Sequence, residues 1–178
     1  MANLQNARSG FTFAELLIVI VILAIAAMIT VPMMSSGGSV QVRSAANMIA
    51  ADLEYAKSMA IGTQQNYAVV FDAAGESYEI KDYNSTNGNW EVIDHPVKKG
   101  SPYAVNFSTD GRLDEVDITN VDFDPGTSDT ITFDSLGCPY SGTGTSSPLT
   151  AGQVVLQAGE LTLTVTVEPV TGFISISE

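Results

Sequence analysis

Hydrophobic residues follow one another almost without a break from Phe11 to Met34. The interruptions are few: Thr12, Glu15, Thr30 and Pro32. No charged residue occurs between Leu16 and Val31. As a helix rising about 1.5 Å per residue, this segment extends about 36 Å, enough to cross a hydrocarbon core of about 30 Å. The pattern therefore predicts a transmembrane helix over residues 11–36.

Two features of this helix are unusual for a plain signal peptide. A secretory signal has a shorter apolar region that ends in an A-x-A-like cleavage site, and residues 35–38 lack that spacing. Glu15 places an ionisable group where lipid makes it costly, which marks it as a candidate functional residue. Pro32 removes a backbone donor and predicts a kink, and the small residues 35–39 predict a looser stretch.

A second helix is predicted over residues 37–62, where the apolar period stays near 3.6. Its apolar residues form one stripe: Val42, Ala46, Ile49, Leu53, Ala56 and Ala60. Gly62 is a suitable stop. The stripe predicts an amphipathic helix whose apolar face packs on a sheet.

The rest of the chain, residues 63–178, changes to a period of two, which is typical of strands. Strands are predicted at 67–71, 77–83, 90–93, 103–107, 130–133, 154–157, 161–167 and 173–177. Residues 72–75 predict a hairpin turn, and residues 141–148 a surface loop. The fold class is therefore α+β: a long N-terminal helix, first transmembrane and then amphipathic, packed on an antiparallel β-sheet head.

The composition excludes several kinds of chemistry. One histidine and one cysteine leave no basis for a His-based triad, an internal disulfide or a structural zinc site. The formal charge is −13, and no Lys or Arg follows Arg112. Affinity for phosphate backbones depends on clustered Lys and Arg, so we expect no nucleic-acid partner.

Acidic residues are concentrated between 110 and 124, which raises the question of calcium. The carboxylates are Asp110, Asp114, Glu115, Asp117, Asp122 and Asp124. Their spacing does not follow the D-x-[DN]-x-[DN]-G pattern of an EF-hand loop. A solvated acidic loop is the favoured interpretation, and neither a metal nor a cofactor is predicted.

The junction GFTFAELL at residues 10–17 resembles the processing site of type IV prepilins and type II secretion prepseudopilins. The resemblance implies that residues 1–10 are a leader, that a prepilin peptidase cuts between Gly10 and Phe11, and that Phe11 is then N-methylated. It also implies an assembly role for Glu15 and a helix-breaking role for Pro32. Residues 13 and 14, Phe and Ala, depart from the usual Leu-Ile or Leu-Val but stay apolar.

Later segments resemble the H-type minor pseudopilins, the GspH/FimT family. They are the helix end at 42–45 and 53–60, the strand and turn ITFDSLG at 131–137, and the final turn VTVEPVTG at 165–172. These motifs touch most of the chain. They are less specific than the Gly10–Phe11 junction, because ordinary sheets and turns use the same residue types.

The resemblance implies a structural subunit rather than an enzyme. It would be a minor pseudopilin held in the bacterial inner membrane by one pass, with a periplasmic head, until it enters the pseudopilus of a type II secretion system. Its implied partners are other pseudopilin or pilin subunits, the prepilin peptidase and the inner-membrane assembly platform. Glu15 would pair with the α-amino group of Phe11 in a neighbouring subunit, which would offset the desolvation of two charges.

Two alternatives remain open at this point. One is a minor type IV pilin, in pilus assembly or DNA uptake. The other is a membrane-tethered binding module that never polymerises, although a simple tether has no use for Glu15.

Overall fold

The structure is a computed structural model that describes residues 11–34 and 37–178. The chain divides into two units, Met1–Gly37 and Gly38–Glu178. The predicted leader, residues 1–10, lies outside the described residues, as do residues 35 and 36.

The first unit contains helix α1, Phe13–Met34. From Leu16 to Met28 its side chains are all apolar, and its large ones are about half exposed or more. Such a helix has no single apolar face, because apolar residues surround it on every side. Within the described part of the chain, no helix meets the length and hydropathy needed to cross a membrane.

The head unit is organised around helix α2, Gly37–Thr63. All six residues of the predicted apolar stripe are buried, and Ala45 and Asp52 are buried with them. The helix therefore packs on the head along this stripe, as its period indicated. Gly62 lies one residue before the end of α2.

Ten strands form two antiparallel sheets in the head. The first sheet has the order β3–β2–β1–β6–β7, with β4 also paired to β2, and its strands are β1 Tyr67–Asp72, β2 Ser77–Asn84, β3 Asn89–Val92, β4 Ala104–Asn106, β6 Thr130–Phe133 and β7 Pro139–Ser141. The second sheet has the order β10–β9–β8–β5, with strands β5 Asp117–Asp124, β8 Ala151–Ala158, β9 Leu161–Val167 and β10 Ile174–Ser177.

The inner faces of both sheets and the buried face of α2 share one core. Its largest fully buried side chains are Tyr78, Phe71, Phe107, Phe123 and Phe133. The predicted α+β class, with a helix packed on an antiparallel head, is confirmed.

Strand β5 corrects the prediction for the acidic stretch. Residues 110–124 were expected to form a solvated loop, but 117–124 pair with β8 along the edge of the second sheet. The register shifts between Ile118 and Asn120, which is the mark of a β-bulge. Because of the bulge, Ile118 lies three residues before Val121 and five residues before Phe123. These odd spacings break the alternation of apolar and polar residues from which strands were predicted.

Candidate functional site

The start of α1 is closed by three reciprocal hydrogen bonds between Thr12 and Glu15. The Glu15 backbone N–H donates to Thr12 Oγ1 at 3.2 Å. In return, Glu15 Oε2 accepts from the Thr12 backbone N–H and from Thr12 Oγ1, both at 3.1 Å. The Leu16 N–H donates to the Thr12 carbonyl oxygen at 3.2 Å, which is the first bond of the helix. This arrangement is a capping box with Thr12 as the N-cap.

The capping box gives Glu15 a role within its own chain. The first turn of a helix has backbone N–H groups without helical partners, and a carboxylate there is also favoured by the helix dipole. Among the described residues, the hydrogen bonds to this carboxylate all go to Oε2. No described residue donates to Oε1.

The motif predicted a role for Glu15 alone, and its partner Thr12 was not predicted. The available signal was the T-x-x-E spacing directly before an apolar run. Of the other predicted site residues, Phe11 precedes α1 and is 82% exposed. Gly10 lies outside the described residues, and Pro32 lies within the bounds of α1, so cleavage after Gly10 and a kink at Pro32 stay predictions.

A second carboxylate, Asp52, is buried on α2. Tyr78 donates its hydroxyl to Asp52 Oδ2 at 2.5 Å, and Tyr103 donates to Oδ1 at 2.7 Å. The Tyr103 ring also stacks on Tyr55 and on His95, with centroid distances of 5.6 and 4.6 Å. These contacts fasten α2 to strand β2 and to the segment that precedes β4.

The electrostatics of this cluster favour a fixed hydrogen-bond network. Burial raises the pKa of Tyr78 well above its usual range, and the charge of Asp52 raises it further. The pKa of Tyr103 is raised in the same way, by burial first and then by its hydrogen bond to Asp52. Both hydroxyls therefore stay protonated and donate at neutral pH. This arrangement orients a helix; it does not activate a nucleophile.

Asp52 was not among the predicted site residues, although its position in the sequence indicated burial. It lies three residues after Ile49 and four before Ala56, and so falls on the buried stripe of α2. A carboxylate on such a stripe needs a hydrogen-bonding partner inside the head.

The acidic residues between 110 and 124 are dispersed rather than gathered. Arg112 donates to both oxygens of Asp110, at 3.0 and 2.6 Å, and these hydrogen bonds lower the pKa of that carboxyl to about 2. Asp117, Asp122 and Asp124 are spaced along β5. Within residues 11–34 and 37–178, no group of three His, Cys, Asp or Glu side chains is arranged to hold a metal ion.

The sequence matches two family models in separate segments. Residues 45–171 match the model described as type II transport protein GspH, which covers more than half of the chain. Residues 5–31 match the model described as the prokaryotic N-terminal methylation motif. No curated protein matches the sequence significantly.

Solved structures with a similar fold include two of the minor pseudopilin EpsH from the type 2 secretion system of Vibrio cholerae. Both have a TM-score of 0.53 and 12% identity; they cover 77% and 76% of this chain, and 96% and 92% of the EpsH chains. The type IV minor pilin FimU of Pseudomonas aeruginosa has a TM-score of 0.47 and 16% identity, covering 77% of this chain and 88% of that one. At 12% identity, the likeness to EpsH is a likeness of fold.

Proposed function

The chain belongs to the GspH family of type II transport proteins, and on that premise we propose that it is a minor pseudopilin of a type II secretion system. One observation carries the proposal: an N-terminal methylation motif at residues 5–31 precedes a GspH region at residues 45–171 in the same chain. In this proposal the protein acts as a structural subunit and not as an enzyme.

In this proposal the subunit is first inserted into the inner membrane. The apolar segment predicted from the sequence at residues 11–36 would hold the precursor there with the head in the periplasm, and the prepilin peptidase would remove residues 1–10 and methylate the amino group of Phe11. Because apolar residues surround α1 on every side, the helix can exchange lipid for neighbouring helices without exposing polar groups. The inner-membrane assembly platform then moves it into the pseudopilus.

We assign Glu15 two successive partners. In the free chain Oε2 accepts from Thr12, as the capping geometry places it. In the filament, the charged amino group of Phe11 from a neighbouring subunit would approach Oε1. A subunit in the wrong axial register would leave both charges unpaired in an apolar core, which costs several kcal/mol, on the order of 3–5.

The charge of the head supports protein partners over nucleic acid. Residues 113–178 contain ten Asp and Glu and no Lys or Arg. Such a surface repels a phosphate backbone most strongly at low salt, where nucleic-acid binding is otherwise tightest. A DNA-uptake pilin is therefore a poorer fit than a secretion pseudopilin.

The proposal is tested by the intact mass of the protein extracted from membranes. We expect a chain that begins at N-methylated Phe11, and a full-length chain beginning at Met1 in a strain without the prepilin peptidase. Replacing Gly10 by a bulky residue should also leave the leader attached. A wild-type chain that starts at Met1, or near Ser39, would contradict the prepilin assignment.

A gene deletion separates secretion from pilus assembly. The deletion strain should lose export of the type II substrates and keep its surface pili, and the wild-type gene should restore export. Loss of pili with intact secretion would favour the minor type IV pilin instead.

A further inference from the structure

Three segments of the head meet at the C-terminal end of α2. Lys57 Nζ donates to the Gly172 carbonyl oxygen at 2.9 Å. A Cβ on Gly137 would come within 2.9 Å of Ile61 Cδ1, and one on Gly172 within 3.0 Å of the Gly137 carbonyl oxygen. The turns at residues 134–138 and 168–173 are thus packed against each other and against the last turns of α2.

Large apolar side chains project into solvent around this junction. Their exposed fractions are Leu136 80%, Val170 76%, Phe173 59% and Ile61 47%. We call these four residues the distal patch, because they lie at the C-terminal end of α2. With 27 residues and a rise of about 1.5 Å per residue, α2 is about 40 Å long. Only three other large apolar side chains of the described head are comparably exposed: Val40, Val97 and Ile176. Concentration of exposed apolar residues in one place is typical of an interaction site.

The two turns that carry the distal patch are held firmly. Asp134 Oδ1 accepts from the backbone N–H groups of Leu136 and Cys138, both at 2.9 Å. In the other turn, the Glu168 N–H donates to the Phe173 carbonyl oxygen at 2.8 Å. Contacts of this kind fix the backbone of both turns before a partner arrives, which lowers the backbone entropy lost on binding.

Val170 has a backbone conformation that its side chain disfavours. Its φ is +66°, in the left-handed region where Gly or Asn is usual and a β-branched residue is an outlier. The fold of the turn therefore does not explain a valine here. Residues kept in strained conformations concentrate at functional sites, and the exposed Val170 side chain is consistent with a role in contact.

Three carboxylates lie on the segments that carry the distal patch. Glu54, Asp134 and Glu168 lie on the three converging segments, and the one nearby ammonium, Lys57, is already engaged by Gly172 and by Glu54 at 3.7 Å. The local charge therefore favours a partner that brings Lys or Arg beside the patch, since opposite charges across an interface favour association and like charges oppose it.

We propose that the distal patch docks the head of a different pilin-like subunit of the same filament, one with apolar side chains flanked by Lys or Arg. This rests on the proposed function. A second copy of this chain is a poor occupant, because its net charge of −13 repels these carboxylates. An anionic lipid surface is repelled in the same way.

The test uses the full-length chain in detergent and, as probes, each of the other pilin-like subunits of the system, expressed separately. The double variant Leu136→Asn/Val170→Asn should weaken binding to one of them by at least about tenfold, as loss of central apolar contacts does. Asn tolerates the left-handed region, so this variant should melt no lower than wild type. The matched control is Val97→Asn, which removes a side chain that is 84% exposed elsewhere on the head and should bind as wild type does.

A second arm tests the carboxylates beside the patch. Glu168→Lys should weaken the same complex, and its affinity should depend less on salt than that of wild type. Equal binding by the double variant and wild type would overturn the assignment of the patch, and so would a photocrosslinker at position 170 that joins two copies of this chain. Leader removal and secretion, which test the proposed function, are measured separately. Failure of the patch proposal can therefore be distinguished from failure of the proposed function.

Discussion

Two carboxylates on the two helices, Glu15 on α1 and Asp52 on α2, are both held by hydroxyl groups but in opposite ways. Glu15 is exposed and bound by Thr12, three residues away in the chain. Asp52 is buried and bound by Tyr78 and Tyr103, which are 26 and 51 residues away. The first network is local and open on one side; the second is long-range and complete.

The difference indicates different uses of the same chemical group. A carboxylate that keeps one oxygen available at an exposed helix start can acquire a new partner during assembly. A carboxylate with both oxygens engaged inside the core can only hold the elements that surround it. We therefore expect changes at Glu15 to affect assembly and changes at Asp52 to affect stability.

The largest expected effect is that of Glu15→Gln. The Gln amide oxygen can still accept from Thr12, so the capping box survives while the charge is lost. Leader removal and membrane insertion should continue, but incorporation into filaments should fall by at least about tenfold, since the amino group of Phe11 loses its charged partner. The measurement is the amount of subunit in sheared filaments. Wild-type incorporation would show that capping, and not charge pairing, is the role of Glu15.

Asp52→Ala should lower the free energy of unfolding of the head by about 2–4 kcal/mol, because two buried tyrosine hydroxyls lose their acceptor. Urea unfolding of the full chain in detergent, followed by circular dichroism, measures the change. Glu54→Ala is the matched control, on an exposed position of the same helix, and should change stability by no more than about 0.5 kcal/mol. A change at Asp52 as small as the control would contradict the anchoring role.

High pH should weaken the same network. Tyr78 and Tyr103 have raised pKa values in the folded head, so the folded state holds these protons more tightly than the unfolded state, where tyrosine has a pKa of 10.0. Their contribution is fully present below pH 10 and is lost as pH rises through the folded-state pKa. The free energy of unfolding should thus decline above about pH 10. The decline should be smaller in Tyr78→Phe/Tyr103→Phe, whereas Tyr83→Phe, on the same strand as Tyr78, should retain it.

The smallest expected effect is that of Thr12→Ala, which removes the cap and keeps the charge of Glu15. It should cost the start of α1 about 1 kcal/mol and lower incorporation only modestly. Hydrogen exchange of the first-turn amides measures the fraying directly. If Thr12→Ala abolished assembly as fully as Glu15→Gln, the two roles of Glu15 would not be separable.

Local patterns in the sequence determined much of this protein. The apolar stripe of α2, the strict period of two in β9, and the spacing of Thr12 and Glu15 all involve residues within a few positions of each other. Interactions of that range are set by helix and strand geometry, so the sequence alone carries them. The Gly10–Phe11 junction is likewise readable only as sequence, because its meaning lies in recognition by a peptidase.

Tertiary structure decided whatever depends on distant segments meeting. The bulge in β5 is fixed by its pairing with β8, and no regular spacing of residues in β5 predicts it. Asp52 finds its donors only when β2 and the segment before β4 close over α2. The distal patch exists because two turns that are distant in sequence, at Gly137 and at Gly172, pack against each other and against the last turns of α2. Burial and proximity are properties of the folded chain, and the period of a sequence indicates which side of an element faces inward without showing which distant residue it will meet.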